Sequence, residues 1–356
     1  MTVTADRATR DLTLGGFLTE RGQEVRGLQL RYRVIGDTEA AAANGWILVF
    51  HSLTGSADVE SWWGPVVGPD RPLDTSRHAI LSANLLGSCY GSTGPREWRA
   101  RWDEPFPELT PGDLARAHIP LLEQLGIERI ALATGGSLGG MVALEWARIA
   151  PVPTDLVVVF AAPAATSPQS IGWNAVQRMA IEADPVAGLA AARALAMITY
   201  RSAGEFQARF GRGSSRTKEC FDVEHYLRKQ GDKLVARFDP ASYVQLMHTM
   251  DLHDVGNLEE AGRETARRVD RIIGVGIDSD ILYYPAEVRE WVDAYQRAGA
   301  NAEYHEISSL SGHDAFLIEW DQVEGILRGV ELTPKLKSSP AHGPGSHGEA
   351  GSVPFP

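Results

Sequence analysis

Cysteine is almost missing: Cys89 and Cys220 are the only two in 356 residues. Two thiols cannot staple a chain of this length, so a disulfide scaffold is excluded and a reducing compartment is expected. No apolar run approaches the about 18 residues that a membrane-spanning helix needs. The opening MTVTADRATRDLTLGG has no apolar h-region, so no signal peptide is read there. An excess of positive charge is also missing, since 34 Lys and Arg stand against 46 Asp and Glu, for a formal net charge of -12. That sign argues against non-specific binding of nucleic acid or of an acidic membrane surface. These absences predict a soluble, cytoplasmic protein.

What is present is a strand–helix rhythm. Residues 25–35 (VRGLQLRYRVI) alternate apolar and polar, as a half-buried strand does. WILVF (46–50), HAILSAN (78–84), IALATG (130–135) and DLVVVFAA (155–162) are short apolar runs bounded by turn residues. Such runs read as buried strands of a mostly parallel sheet. Helical patterns lie between them, at 113–126 and at 138–150, the second stopped before Pro151. The alternation predicts an α/β sheet covered on both faces. It lapses from 167 to 266, a stretch rich in Ala, Arg and Glu with helical patterns throughout. It resumes with RIIGVG (271–276), a helix around PAEVREWVDAYQRAG, and AEYHEI (302–307). The expected organisation is a first core segment (10–166), a helical insertion (167–266) and a second core segment (267–332). A Pro/Gly/Ser-rich tail (333–356) is expected to be disordered.

Gly135-Gly136-Ser137-Leu138-Gly139 fits the G-x-S-x-G elbow, with a strand pattern before it and a helix pattern after it. A serine on so sharp a turn sits in strained dihedrals, and bulk beside it would meet neighbouring backbone. It also stands at a helix N-terminus, where unpaired N–H groups favour an oxyanion. Ser137 is therefore the candidate nucleophile. The acid and histidine should follow in chain order. Asp280 comes after RIIGVG and just before the next helix, with Asp278 as its rival. His313, in SSLSGHDAF after the last strand, is the candidate base, whereas His305 lies inside a strand. The loop after WILVF should supply an oxyanion donor, so the N–H groups of Leu53 and Leu138 are assigned to that hole.

The segment HSLTGSADVESWWGPVVGPDRPLDTSRHAILSANLLGSCYGSTGP (51–95) resembles the homoserine O-acetyltransferase family of α/β-hydrolase-fold enzymes. So do GGSLGGMVALEWA, MITYRSAGEFQARFGR (197–212), YLRKQGDKLVARFDPASYVQLMHTMDLHDVG (226–256), SDILYYP and SGHDAF. The resemblance runs in order from about residue 10 to 330 and includes the helical insertion. It implies an α/β-hydrolase fold whose inserted helices form a lid, and a homodimer joined through that lid. It implies a ping-pong transfer in which Ser137, with Asp280 and His313, takes an acetyl group from acetyl-CoA and passes it to the hydroxyl of L-homoserine, on the path to methionine. Leu53 and Leu138 would be the oxyanion donors, Arg201 would bind the amino-acid carboxylate, and Asp314 the ammonium. Acetyl-CoA would be a co-substrate, with no bound cofactor.

The same triad in a looser pocket would make an esterase or deacetylase, and succinyl transfer to serine or homoserine is a further alternative. A non-catalytic binding protein of this fold would have lost a triad position, and all three positions are filled. The basic island RFGRGSSRTK (209–218) could meet the phosphates of CoA or be a solvated loop. Cys89 reads as a packed thiol, and Trp62-Trp63 as core or pocket wall. His225, His248 and His253 lack metal-ligand spacing, so no metal is expected.

Overall fold

A computed structural model describes residues 8–214 and 220–329. Its centre is an eight-stranded sheet: β1 (Thr9–Thr13), β2 (Gln29–Gly36), β3 (Trp46–Phe50), β4 (Ala79–Ala83), β5 (Ile130–Gly136), β6 (Thr154–Phe160), β7 (Val269–Ile277) and β8 (Ala302–Ile307). The spatial order is β1-β2-β4-β3-β5-β6-β7-β8. β1, β2 and β4 pair antiparallel, and every pairing from β4 onward is parallel. The mostly parallel sheet is the expected one. Its antiparallel edge strand β1 carries no long apolar run, and composition did not reveal it.

Alternation along the strands sorts side chains to two faces. Leu48 and Phe50 join the core cluster on one face, while Ile47 and Val49 join the cluster on the other. Val157 and Val159 part from Val158 and Phe160 in the same way. Both faces are therefore dry, which is why the strands read as continuous apolar runs.

Two sequence expectations are modified. The run 25–35 is not one strand: Glu24–Arg26 pairs with Gly16–Leu18, and β2 starts afresh at Gln29. Gly27, at φ 61, makes the break, because a left-handed residue cannot continue a strand. The helix expected over 113–126 is two, Pro111–Arg116 and Ile119–Leu125. Pro120 sits in the first turn of the second, where its missing N–H costs least.

The nucleophile helix α1 (Leu138–Ile149) follows β5 directly. Between β6 and β7 come α2 (Pro168–Ala183), α3 (Pro185–Tyr200), α4 (Ala203–Phe210), α5 (Asp222–Val235), α6 (Pro240–Asp251) and α7 (Leu258–Ala266). Their starts are written in sequence. Ser167, Asp184, Ser202 and Asp239 each accept backbone N–H groups of the first turn, and Pro168, Pro185 and Pro240 occupy it. Close packing depends on small residues. A Cβ on Gly188 would lie 2.0 Å from Ala180 O, so α2 and α3 meet nearly backbone to backbone. α7 packs on α1 and on α8 (Pro285–Arg297), on the core side of the molecule. The tail expected to be disordered lies outside the described residues, as do residues 215–218 of the basic island.

Candidate active site

β5 is followed directly by Ser137, whose φ of 57° and ψ of -124° place it in a strained turn. It is one of three non-glycine residues with positive φ among the described residues. The turn is held by the Ser137 N–H, which donates to Phe160 O at 3.0 Å, and by Ser137 O, which accepts from Met141 at 2.9 Å. The flanking glycines are required by crowding. A Cβ on Gly139 would lie 2.2 Å from Phe50 O, and one on Gly136 would lie 2.3 Å from the Phe316 ring.

His313 enters on a short 3-10 turn, Gly312–Leu317. Its Nδ1–H donates to Asp280 Oδ2 at 2.7 Å. Asp280 Oδ1 accepts the N–H groups of Leu282 and Tyr283 at 2.8 and 3.1 Å, which holds the carboxylate still. Asp278 is turned elsewhere, accepting Ser308 Oγ–H and the Ser309 N–H. His305 faces Glu303 from inside β8. The Tyr200 and Tyr283 rings pack on the imidazole, with centroids at 5.6 and 5.3 Å.

Two forces act on that imidazole. Burial depresses its pKa, but the charge and hydrogen bond of Asp280 and the charge of Asp314 outweigh burial, so the pKa is raised above the ordinary 6.5. With Nδ1 committed to Asp280, Nε2 is the basic nitrogen. It is buried and has no hydrogen-bond partner among the described residues. His313 and Ser137 line one cavity, together with Leu53, Trp62, Arg193 and Asp314.

The loop after β3 is pinned from inside the protein. His51 is fully buried; its Nε2 accepts the Leu85 N–H at 2.9 Å and its Nδ1–H donates to Ser52 O at 2.8 Å. Burial, which outweighs the Ser52 bond, pushes its pKa down to about 4, so it is neutral and of one tautomer at pH 7. Ser52 Oγ–H donates to Gly136 O at 2.9 Å, tying this loop to the elbow. The Leu138 N–H is the first of α1 and has no acceptor within the helix.

Charged residues complete the site. Arg201 Nη2 lies 3.1 Å from Asp314 Oδ2, and Arg201 Nη1 donates to both Glu205 oxygens at 3.1 Å. Arg193, on α3, is 6% exposed, borders the cavity above the Tyr200 ring, and has no carboxylate partner among the described residues. Also among the described residues, no group of three or more His, Cys, Asp or Glu side chains is placed to hold a metal ion.

Residues 45–214 match the alpha/beta hydrolase fold family. The homoserine O-acetyltransferase of Moorella thermoacetica is 40% identical over 357 residues, covering 89% of this chain and 94% of that protein. The chain belongs to the homoserine O-acetyltransferase family. The crystal structure of homoserine O-acetyltransferase from Staphylococcus aureus superposes with a TM-score of 0.76 at 27% identity, over 90% of this chain and 94% of that one. Esterase E22 shares the fold, with a TM-score of 0.80 at 18% identity over 90% of this chain and 99% of that one.

Of the residues singled out in the sequence, Ser137, His313, Leu53 and Asp314 line the cavity. Asp280 stands behind His313 and Leu138 follows Ser137. Arg201, expected at a substrate carboxylate, does not line the cavity and is instead engaged by Asp314 and Glu205. Arg193 borders the cavity in its place, and sequence reasoning missed it. Its signal was available: Arg193 is the one charge in the run VAGLAAARALAMI of α3, and a lone charge in an apolar helix is costly unless it is used. His51 and the two tyrosines on His313 left no comparable trace.

Proposed function

We propose that the protein transfers an acetyl group from acetyl-CoA to the hydroxyl of L-homoserine, on the route to methionine, through an acetyl-enzyme on Ser137. His313 Nε2 takes the Ser137 proton as Oγ attacks the thioester carbonyl. The oxyanion is held by the Leu53 and Leu138 N–H groups. Collapse of the tetrahedral intermediate expels the CoA thiolate, which takes the proton back from His313. The homoserine hydroxyl then attacks the acetyl-serine, giving its proton to His313, and collapse of this second intermediate releases O-acetylhomoserine as Ser137 Oγ takes that proton back.

Family membership supports the acceptor, and one observation of the site carries it. A buried arginine without an acid partner, Arg193, borders the cavity that contains Ser137. A guanidinium left unpaired there suits a carboxylate brought by the substrate. Asp314, on the same wall, suits the ammonium. Holding both ends of the amino acid places its hydroxyl for attack, and such orientation is worth effective molarities of about 10⁵–10⁸ M against water. An esterase needs no such pair.

The partner is a second copy of this chain, through the lid. Val176, Met179, Val186 and Ile198, on α2 and α3, are 55%, 66%, 60% and 44% exposed, and exposed apolar side chains on these two helices suit an apolar interface. Cys89 and Cys220 are both free thiols, in keeping with a reducing cytoplasm.

Thiol release from acetyl-CoA and from succinyl-CoA, each with homoserine, serine or no acceptor, tests the reading. Release that requires acetyl-CoA and homoserine is expected, with none from Ser137→Ala. Acceptor-independent release with rapid cleavage of an aryl acetate would make the protein an esterase instead.

A further inference from the structure

We propose that Arg237, on the lid, is a positioning residue for the Leu53 oxyanion donor and acts through two hydrogen-bonded peptide units. The inference rests on the acyl-transfer reading above, and adds a reason for the lid beyond covering the site.

Arg237 follows α5 and reaches down to the loop after β3. Its Nη1–H groups donate to Thr54 O at 2.8 Å and to the Tyr90 hydroxyl oxygen at 2.7 Å, and Nη2–H donates to Thr54 Oγ1 at 3.3 Å. The Phe238 ring meets the Tyr90 ring edge to face at 5.6 Å, which steadies the contact. Arg237 forms no ion pair among the described residues, so the cation is directed at a carbonyl and two hydroxyls.

The carbonyl it holds belongs to the Thr54–Gly55 peptide. The N–H of that peptide, on Gly55, donates to Ser52 O at 2.9 Å. Ser52 O in turn belongs to the peptide that carries the Leu53 N–H. Both peptides are trans, and in a planar trans peptide the N–H points opposite to the C=O. Fixing each carbonyl therefore fixes the direction of the N–H behind it. The path is Arg237 to Thr54 O, Gly55 N–H to Ser52 O, and Leu53 N–H to the oxyanion.

The path has a consequence for strength as well as direction. A charge-assisted hydrogen bond polarises the peptide it enters, and polarisation passes along a chain of bonds. The guanidinium caps one end of the path, and negative charge develops at the other only during reaction. That is the condition for favouring the transition state over the ground state. His51 and Gly136 hold the same loop from the core. Arg237 is the contact that makes the donor depend on the lid being in place.

The test uses the full-length protein. The acetylation burst with an aryl acetate reports formation of acetyl-Ser137, and steady-state thiol release reports kcat and the KM for homoserine. Arg237→Gln is expected to slow acetylation and lower kcat by about 10- to 100-fold, less than the loss of a whole oxyanion donor, with the homoserine KM unchanged. Arg237→Lys, which keeps the charge, recovers part of the rate. Tyr90→Phe, which removes one tie and leaves Thr54 O bonded, slows acetylation less than Arg237→Gln does. A folded Arg237→Gln protein that acetylates at the wild-type rate would overturn the proposal. So would a loss confined to the homoserine KM. If Arg237→Gln does not fold, Arg237→Lys and Tyr90→Phe decide: wild-type acetylation in both rejects the path. Acetylation that depends on Arg237 in a wild-type protein indifferent to homoserine would keep this inference and remove the transferase reading.

Discussion

Asp280 Oδ2 accepts the Nδ1–H of His313 at 2.7 Å, while Asp280 Oδ1 is occupied by the backbone N–H groups of Leu282 and Tyr283. The acid is thus fixed by the chain before it orients the imidazole, and the tautomer follows from that. Asp280→Asn presents an amide N–H or a weaker acceptor to Nδ1 and lets the wrong tautomer compete. The expected loss in kcat is about 10⁴-fold, the scale seen when triads lose their acid, with an unchanged circular dichroism spectrum. Asp278→Asn, on the Ser308–Ser309 turn, should leave the acetylation burst near wild type. The reverse pattern would transfer the role to Asp278.

His313 must be neutral to accept a proton, and Asp280 and Asp314 raise its pKa above 6.5 against the opposing effect of burial. The acetylation rate should therefore climb with pH through an apparent pKa above 6.5 and level off beyond it. Asp314→Asn removes one of the two charges that raise it, so the climb should move to lower pH. A pH-rate profile of the aryl acetate burst measures both. An unmoved profile would show that Asp314 has no electrostatic hold on the histidine.

Arg193 and Arg201 should separate cleanly in experiment. Arg193→Gln removes the unpaired cation at the cavity, so transfer to homoserine should fall while the aryl acetate burst stays near wild type. A charged hydrogen bond of about 1.5–3 kcal/mol corresponds to a fall of about 10- to 100-fold in kcat/KM for homoserine. Arg201→Gln leaves the buried Asp314 without its cation, and leaves the half-buried Glu205 with Arg209 alone, at 3.8 Å. Breaking a buried pair costs about 3–5 kcal/mol, so its main effect should be a lower Tm.

Two glycine substitutions test the packing argument in opposite directions. A Cβ on Gly139 would lie 2.2 Å from the backbone oxygen of Phe50, which cannot move aside. Gly139→Ala should destabilise the protein by about 1–3 kcal/mol and distort the elbow. Gly172, inside α2, has nothing within 4 Å of its Cβ position. Gly172→Ala should stabilise by about 0.5–1 kcal/mol through helix propensity alone. Thermal unfolding measures both changes.

Glu145, on α1, is 7% exposed. Burial raises its pKa from 4.5 to about 7, although Arg148, 2.9 Å away, pulls it down. His253, 3.8 Å away, is pushed down to about 4 by its own burial and offers no positive charge at neutral pH. Between pH 4.5 and about 7 the folded state holds more protons at Glu145 than the unfolded state does. Stability must therefore fall as pH rises through that window. Glu145→Gln should flatten the fall, so its Tm advantage over wild type should be larger at pH 8 than at pH 5. An equal difference at the two values would mean that Glu145 is charged in the folded state throughout.

Much of this architecture was written locally. Seven of the eight sheet strands carry apolar runs or alternation, because a two-sided core demands both faces of each strand. The lid helices announce themselves by Ser-Pro and Asp-Pro starts at 167–168, 184–185 and 239–240. Ser137 was legible because the elbow needs small residues at fixed spacing around it. The exposed edge strand β1 and the break at Gly27 were harder, since a solvent-facing strand needs few apolar residues and one glycine decides the turn.

Chain order and local pattern determined the fold class and singled out Ser137, Asp280 and His313. Each of these depends on short-range geometry: a strained turn, a loop after a strand, a glycine before a histidine. Which arginine borders the cavity was decided by tertiary structure alone. Arg193 and Arg201 are eight residues apart on and just after the same helix, and both are nearly fully buried. Only the packing of α3 against the loop of His313 and Asp314 leaves Arg201 held by two carboxylates and Arg193 held by none. The reach of Arg237 to Thr54 spans 183 residues of chain. No local propensity records such a contact, because its strength lies in the meeting of two surfaces that the sequence keeps far apart.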